Sequence, residues 1–209
     1  VGDIEDVPSH NSSHISGVTD HFYECLDTAD YEADLQTPDI SVGRFSVATE
    51  DQLAAAVEKS IAYQRGIFKT ENWLNSVSFL ATDDKYQIAE GTHNYAIDTY
   101  TTPAGYTGIF PNANQPGGDK LYAITYKVPD ETVKQAITEG RTIIDYSGHG
   151  AQTYWAAPHV SQDDIRAMGD ESSLPFVIGN ACVTGDFRVP EAFAETWIRH
   201  RYGAILYWG

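Results

Sequence analysis

The stretch that decides the fold is Thr142-Ile143-Ile144-Asp145-Tyr146-Ser147-Gly148-His149-Gly150. Its first five residues form a mainly apolar run that is typical of a buried strand, and the two glycines mark an abrupt end to that strand. A second run, Leu174 to Ala181, has the same character and stops at Cys182. Apolar runs that are continuous rather than alternating indicate a parallel sheet covered on both faces.

Sequence patterns typical of helices lie between the predicted strands. Thr49 with Gln52 predicts a helix start, Gly66 predicts its end, and Leu53, Val57 and Ile61 give that helix an apolar face. The remaining predicted elements are strands over 76–82, 121–128 and 204–208, a short helix that Asp130 caps and that runs through Ile137 to Gly140, a short helix capped by Ser161, and a helix that has Pro190 in its first turn and ends at Gly203. Outside its one strand, the segment 85–129 gives no clear pattern. Alternating strands and helices predict an α/β layered fold with a mostly parallel central sheet and helices on both faces.

The composition excludes several classes of protein. The chain has 209 residues, of which 13 are basic and 30 acidic, so its net charge is −17, and 42% of the residues are hydrophobic. This fits one folded domain without a membrane span, and the acidic excess argues against nucleic acid as a partner. The chain starts at Val1 and ends on a strand-like run, so we expect it to be a fragment of a longer chain.

Two residues with reactive side chains stand at strand ends, His149 and Cys182. Ligands of open parallel sheets bind outside the carboxyl ends of the strands, so a thiol and an imidazole there could face one pocket. That pair suits nucleophilic acyl transfer, in which the thiolate attacks a carbonyl and the imidazole moves the proton. The backbone N–H groups of Gly150 and Cys182 could stabilise the oxyanion.

These motifs resemble a known family. Tyr146–Gly150 and Ala181–Phe187 are similar to the corresponding motifs of the gingipain family of cysteine peptidases, which belongs to the caspase-like clan. The similarity extends to Val1–Pro8, Thr19–Tyr23, Pro38–Phe45 and Pro190–Glu195. It implies a caspase-like peptidase domain over residues 1–209, with His149 as the catalytic histidine and Cys182 as the nucleophile. It also implies a protein or peptide substrate, a pro-domain or other domains of the same precursor as partners, and a secreted or cell-surface location.

The resemblance further implies a carboxylate near the histidine, for which Asp84 is the best match and Asp83 the alternative. Arginine-preferring members are expected to carry an aspartate in the segment matching Glu90–His93, where this chain has Thr92. We therefore expect no strict preference for arginine. Thr184 and Trp208 are further candidates for substrate contact, although Trp208 also fits a core position. No cofactor is expected for catalysis.

Calcium is a candidate structural ion. Asp27, Asp30, Glu32 and Asp34 lie close together in one predicted loop, and calcium prefers closely spaced oxygen ligands. The resemblance to the gingipain family also implies a calcium site near this region. A solvated acidic loop explains the same residues equally well.

Two other functions stay open beside a cysteine endopeptidase. One is an inactive caspase-like domain that serves as a binding or scaffold module. The other is a transpeptidase or processing enzyme on the same fold, which would hand the acyl group to an amine instead of water. The sequence does not separate the three.

Overall fold

The computed structural model describes residues 2, 5–11, 17–27, 38–169 and 173–209. The strands in this part of the chain are His10–Asn11 (β1), Val18–Thr19 (β2), Val77–Ala81 (β3), Thr107–Gly108 (β4), Gln115–Pro116 (β5), Asp119–Tyr122 (β6), Ile143–Ser147 (β7), Gly150–Ala151 (β8), Tyr154–Trp155 (β9), Val160–Ser161 (β10), Phe176–Asn180 (β11) and Leu206–Trp208 (β12). The α-helices are Glu50–Arg65 (α1), Tyr86–Ala96 (α2), Asp130–Glu139 (α3), Gln162–Arg166 (α4) and Phe193–Arg199 (α5). A 3₁₀ turn covers His21–Tyr23, and a π-helical turn, Ile97–Thr101, follows α2.

The central sheet is parallel and has five strands in the order β12-β11-β7-β3-β6. Helices α3, α4 and α5 cover one face, where Leu80, Ile144 and Val177 point into the main core. Helix α2 covers part of the other face against Val77 and Phe79. The predicted α/β architecture with helices on both faces is therefore confirmed.

The end signals of α1 were predicted correctly, but its buried face was not. The Thr49 hydroxyl accepts a hydrogen bond from the Gln52 N–H, and Gly66 ends the helix in the left-handed conformation. Val57 and Ile61 are 39% and 42% exposed. The helix instead buries Ala55, Ala56 and Lys59, because it lies close against α5 and the Lys59 amine reaches carbonyl groups at the end of that helix.

The end of β6 and the start of α3 also differ from the predictions. Strand β6 stops at Tyr122 instead of Val128, because the chain turns back and the Val128 N–H bonds the Tyr122 carbonyl. Helix α3 has Pro129 as its N-cap, and Asp130 accepts a bond from the His159 N–H instead of capping the helix.

Helix α5 is shorter than predicted at both ends. It begins after Ala192, whose N–H donates to the Glu195 carboxylate, so Pro190 lies outside it. His200 is in an extended conformation and ends the helix before Gly203. None of the helices in the described part of the chain combines the length and apolar character that a membrane crossing requires.

Candidate active site

Three neighbouring strands end side by side. Ala81, Ser147 and Asn180 are paired in register across β3, β7 and β11. The ladder continues one step, since Thr82 N donates to Ser147 O at 3.0 Å and Gly148 N donates to Asn180 O at 3.1 Å. Asp84, His149 and Cys182 follow these paired ends by two or three residues each. The topology thus brings the predicted carboxylate, imidazole and thiol to the same edge of the sheet.

The imidazole of His149 contacts Asp84. The distance between His149 Nε2 and Asp84 Oδ2 is 3.0 Å, and both side chains are more than half exposed. The hydrogen bond from His149 lowers the pKa of Asp84 below its usual value, so Asp84 stays ionised at neutral pH. When Nε2–H donates to this carboxylate, Nδ1 of the neutral ring is the atom that can accept a proton. Of the two aspartates that the sequence left open, Asp84 is the one in contact with the histidine.

Two hydrogen bonds fix the backbone of His149. Its carbonyl accepts a hydrogen bond from the Tyr146 hydroxyl at 2.7 Å and another from the Ala156 N–H at 2.9 Å. The Tyr146 ring is buried and stacks on Trp155, with 4.6 Å between the ring centroids. Burial raises the pKa of Tyr146 to about 12, so its hydroxyl remains a donor at neutral pH.

Cys182 lies in an exposed turn just beyond β11 and forms no disulfide. The next residue, Val183, has a φ of 51°, which turns the chain sharply. The backbone of Gly150 packs directly against this turn: a Cβ atom there would lie 2.6 Å from Thr184 Cγ2 and 3.0 Å from the Cys182 carbonyl oxygen. Only glycine therefore permits the chain beside His149 to approach the cysteine loop this closely.

A layer of polar side chains lies beneath these strand ends. His93 of α2 is 1% exposed, and its Nε2 lies 3.1 Å from the Ser147 hydroxyl and 3.8 Å from Asp145. The Asn180 amide donates to the same Asp145 carboxylate at 3.3 Å. The sequence patterns did not predict this layer, because His93 stands in a segment without a predicted element.

The three predicted substrate-binding residues lie in different environments. Thr92 is exposed on α2. Thr184 is fully buried, and its hydroxyl accepts a hydrogen bond from Tyr207 at 3.0 Å. Trp208 is 69% exposed and lines a cavity of about 880 Å³ at the open edge of β12, together with Leu206 and Val42. The structure therefore does not gather these three side chains around Cys182.

Of the predicted calcium ligands, Asp27 is exposed, whereas Asp30, Glu32 and Asp34 lie outside the described residues. Within the described ranges, no group of three or more histidine, cysteine or acidic side chains converges as a metal site. The other cysteine, Cys25, is buried, and its sulfur lies 3.5 Å from His21 Nε2.

This architecture defines the class of protein. A parallel α/β sheet with a histidine and a cysteine beyond neighbouring strands is the arrangement of the caspase-like cysteine peptidases. The model of peptidase family C25 matches residues 1–209, and the chain belongs to that family.

Comparison with individual proteins agrees with this assignment. The chain is 26% identical over 205 residues to gingipain R2 of Porphyromonas gingivalis, a match that covers 95% of this chain and 25% of the relative. A crystal structure of the Arg-specific cysteine proteinase gingipain R superimposes with a TM-score of 0.76 at 24% identity, covering 98% of this chain and 46% of the other. A complex of the pro- and mature domains of Porphyromonas gingivalis RgpB gives the same TM-score and identity, covering 98% and 47%. The chain thus spans a quarter or less of the curated relatives it matches and under half of these solved structures.

Proposed function

We propose that this chain carries the active site of a cysteine endopeptidase, with Cys182 as nucleophile, His149 as general acid and base, and Asp84 as the residue that orients the imidazole. The observation that carries the proposal is the register of β3, β7 and β11, whose paired ends precede these three residues. The close packing of Gly150 against the cysteine turn adds support, because it joins the two loops.

The proposed reaction has two steps. His149 takes the proton of the Cys182 thiol as the sulfur attacks the peptide carbonyl, the C–N bond breaks, and the amine leaves with that proton. Water then adds to the thioester while His149 accepts a proton from it, and His149 returns this proton to the sulfur, so that the thiol is regenerated and the acid is released. The backbone N–H groups of Gly150 and Cys182 are the proposed donors to the oxyanion in both steps, and one such donor contributes roughly 10²–10³-fold in rate.

We propose that the specificity is not strictly for arginine. Thr92 offers no charge to a guanidinium, and an unpaired buried cation would be costly. The nearby carboxylate of Glu90 is buried and already accepts bonds from the backbone N–H and hydroxyl of Thr125. Cleavage of an arginyl fluorogenic peptide far above its alanyl, lysyl and leucyl counterparts would overturn this expectation.

Covalent capture tests the nucleophile. A peptidyl acyloxymethyl ketone should label wild type and Cys25→Ala at one residue, Cys182, and should leave Cys182→Ala unlabelled. Cleavage of a peptide library should be lost in Cys182→Ala and retained in Cys25→Ala, which is the matched control because it removes the other thiol. Labelling at Cys25, or cleavage that survives in Cys182→Ala, would refute the assignment.

Two alternatives have distinct outcomes. If Cys182 is neither labelled nor needed for any cleavage, the domain is an inactive scaffold. If peptide products carry an added amine instead of a new carboxyl end, the enzyme is a transpeptidase. Mass spectrometry of products formed with and without hydroxylamine separates hydrolysis from transfer.

We also propose a pro-domain or another domain of the same precursor as partner, and a secreted or cell-surface location. The solved complex of RgpB pro- and mature domains supports the partner, since this chain resembles that structure over most of its own length.

A further inference from the structure

A small cavity lies beside the loop that carries Cys182, and its wall includes an ion pair. It measures about 200 Å³, and its wall includes Ala181, Val183, Gly185, Asp186, Arg188 and Gly209. Ala181 and Val183 flank the proposed nucleophile, so the cavity begins one residue away, on the order of 4 Å along the chain. The glycines contribute only backbone, which leaves Asp186 and Arg188 as the charged side chains on the wall.

In this ion pair, the Asp186 carboxylate has its hydrogen-bond acceptors filled, whereas the Arg188 guanidinium keeps unused donors within the described part of the chain. The Asp186 carboxylate accepts bonds from Arg188 Nε at 2.7 Å, from Arg188 Nη2 at 2.8 Å and from the Gln152 amide at 3.3 Å. It is 11% exposed, whereas the Arg188 side chain is 47% exposed. Among the described residues, Nη1 of Arg188 has no hydrogen-bond partner. The carboxylate is therefore satisfied, and the guanidinium still presents N–H donors to the cavity.

We propose that Arg188 is a specificity-determining residue that binds a carboxylate of the peptide substrate within about three residues of the scissile bond. This inference rests on the proposed peptidase function. A guanidinium held at one edge by a carboxylate is preorganised, so its free edge can bind a second carboxylate without first losing side-chain freedom. The source of the ligand is an Asp or Glu side chain or the carboxyl terminus of a short peptide.

The charge of the whole chain does not prevent this contact. The net charge of −17 repels acidic peptides at a distance. At 0.15 M salt, interactions between exposed charges are screened beyond roughly 8 Å, so distant acidic side chains have little effect on a carboxylate that contacts the guanidinium. We therefore expect an acidic residue to raise affinity only at one or two peptide positions.

Binding to Cys182→Ala measures the effect without cleavage. Fluorescent peptides should carry Glu or Gln at each of six successive positions, with a free or an amidated carboxyl end, and anisotropy should be recorded in 0.15 M NaCl. At the best position, Glu should bind about three- to tenfold tighter than Gln, the range expected for a partly exposed charge-assisted pair. Adding Arg188→Gln should reduce this ratio to about one, and Arg188→Lys should keep part of it. The matched control is Arg166→Gln, which removes a guanidinium of similar exposure from another ion pair and should leave the ratio unchanged.

Each result of the binding experiment either supports or overturns the role of Arg188. A Glu preference that survives Arg188→Gln, or no preference for a carboxylate in any arm, overturns the inference. A preference for the free over the amidated end alone identifies the peptide terminus as the ligand. If Arg188→Gln does not fold, Arg188→Lys carries the test: a reduced Glu preference in that variant supports the inference, and an unchanged one overturns it. Failure of wild type to cleave any peptide would refute the peptidase proposal. The ratio of Glu to Gln peptide affinity would still test whether Arg188 binds a carboxylate.

Discussion

At the scale of single residues, His149 and Asp84 form a hydrogen-bonded pair that is open to solvent, with side-chain exposures of 62% and 56%. Exposed pairs contribute little to stability, and we propose that this contact serves to orient the imidazole. We expect Asp84→Asn to lower kcat/KM by roughly 10- to 100-fold, which is the range for loss of a group that orients a general base. The thermal midpoint of unfolding should stay nearly unchanged.

The pH dependence of that loss follows from the lowered pKa of Asp84. A carboxylate with a lowered pKa is ionised at every pH above its usual value of about 4, and its contact with His149 is weakened only as the pH falls through the lowered value. Protonation of Asp84 should therefore not reduce the advantage of wild type over Asp84→Asn between pH 5 and pH 8, measured as kcat/KM. Asp83→Asn is the control, because Asp83 contacts the Thr82 hydroxyl and should keep most activity. An equal loss in both variants would contradict the role of Asp84.

Sequence alone predicted which reactive residues follow the strands, because apolar runs and glycines are local signals. The resemblance favoured Asp84 and kept Asp83 as the alternative, because the contact with His149 depends on how the chain turns after β3. The sequence did not identify Arg188, whose place beside Cys182 depends on the left-handed turn at Val183.

At the scale of elements, Lys59 connects two helices. Its buried amine donates to the carbonyls of Ile198, His200 and Ala204 at 2.7, 2.9 and 2.9 Å. These carbonyls lie at and beyond the end of α5, where a helix leaves acceptors without partners. We expect Lys59→Met to reduce the free energy of unfolding by about 3 kcal/mol, because several buried acceptors lose their donor.

Urea unfolding measures this change. Lys134→Met is the matched control, since Lys134 forms ion pairs with Glu131 and Asp164 nearer the surface, and its loss should cost less than about 1 kcal/mol. If the two substitutions lower the free energy of unfolding equally, the carbonyl contacts of Lys59 do not stabilise the protein more than a surface ion pair does.

The helices also show where sequence patterns fail. Helix α2 was missed because its N-cap, Lys85, provides no side-chain hydrogen bond, and because Gly91 lies in its interior. Its buried side includes the polar residues Glu90 and His93, which hides the apolar period. In α1 the apolar stripe was real, but tertiary packing buried the alanines and Lys59 instead.

At the scale of the whole molecule, the net charge of −17 makes cation binding a source of stability. The layers could be anticipated from alternating strands and helices, whereas the strand order of the sheet was not predicted. The position of Trp208 relative to Cys182 could not be predicted from the sequence, because it depends on where β12 pairs with β11.

Calcium is the cation that we expect to stabilise the molecule, through the acidic segment that contains Asp27, Asp30, Glu32 and Asp34. At 10 mM calcium and an affinity in the range of extracellular sites, the free energy of unfolding should rise by about 1–3 kcal/mol. For a chain of this size that corresponds to roughly 3–10 °C in the thermal midpoint, measured by scanning calorimetry. Screening of the acidic surface by any salt would also raise the midpoint, so sodium chloride of equal ionic strength is the reference. Asp30→Asn with Asp34→Asn should remove the calcium-specific part and leave the salt effect. A midpoint that responds equally to calcium, sodium and chelator would exclude a calcium site and leave a solvated acidic loop as the explanation of these residues.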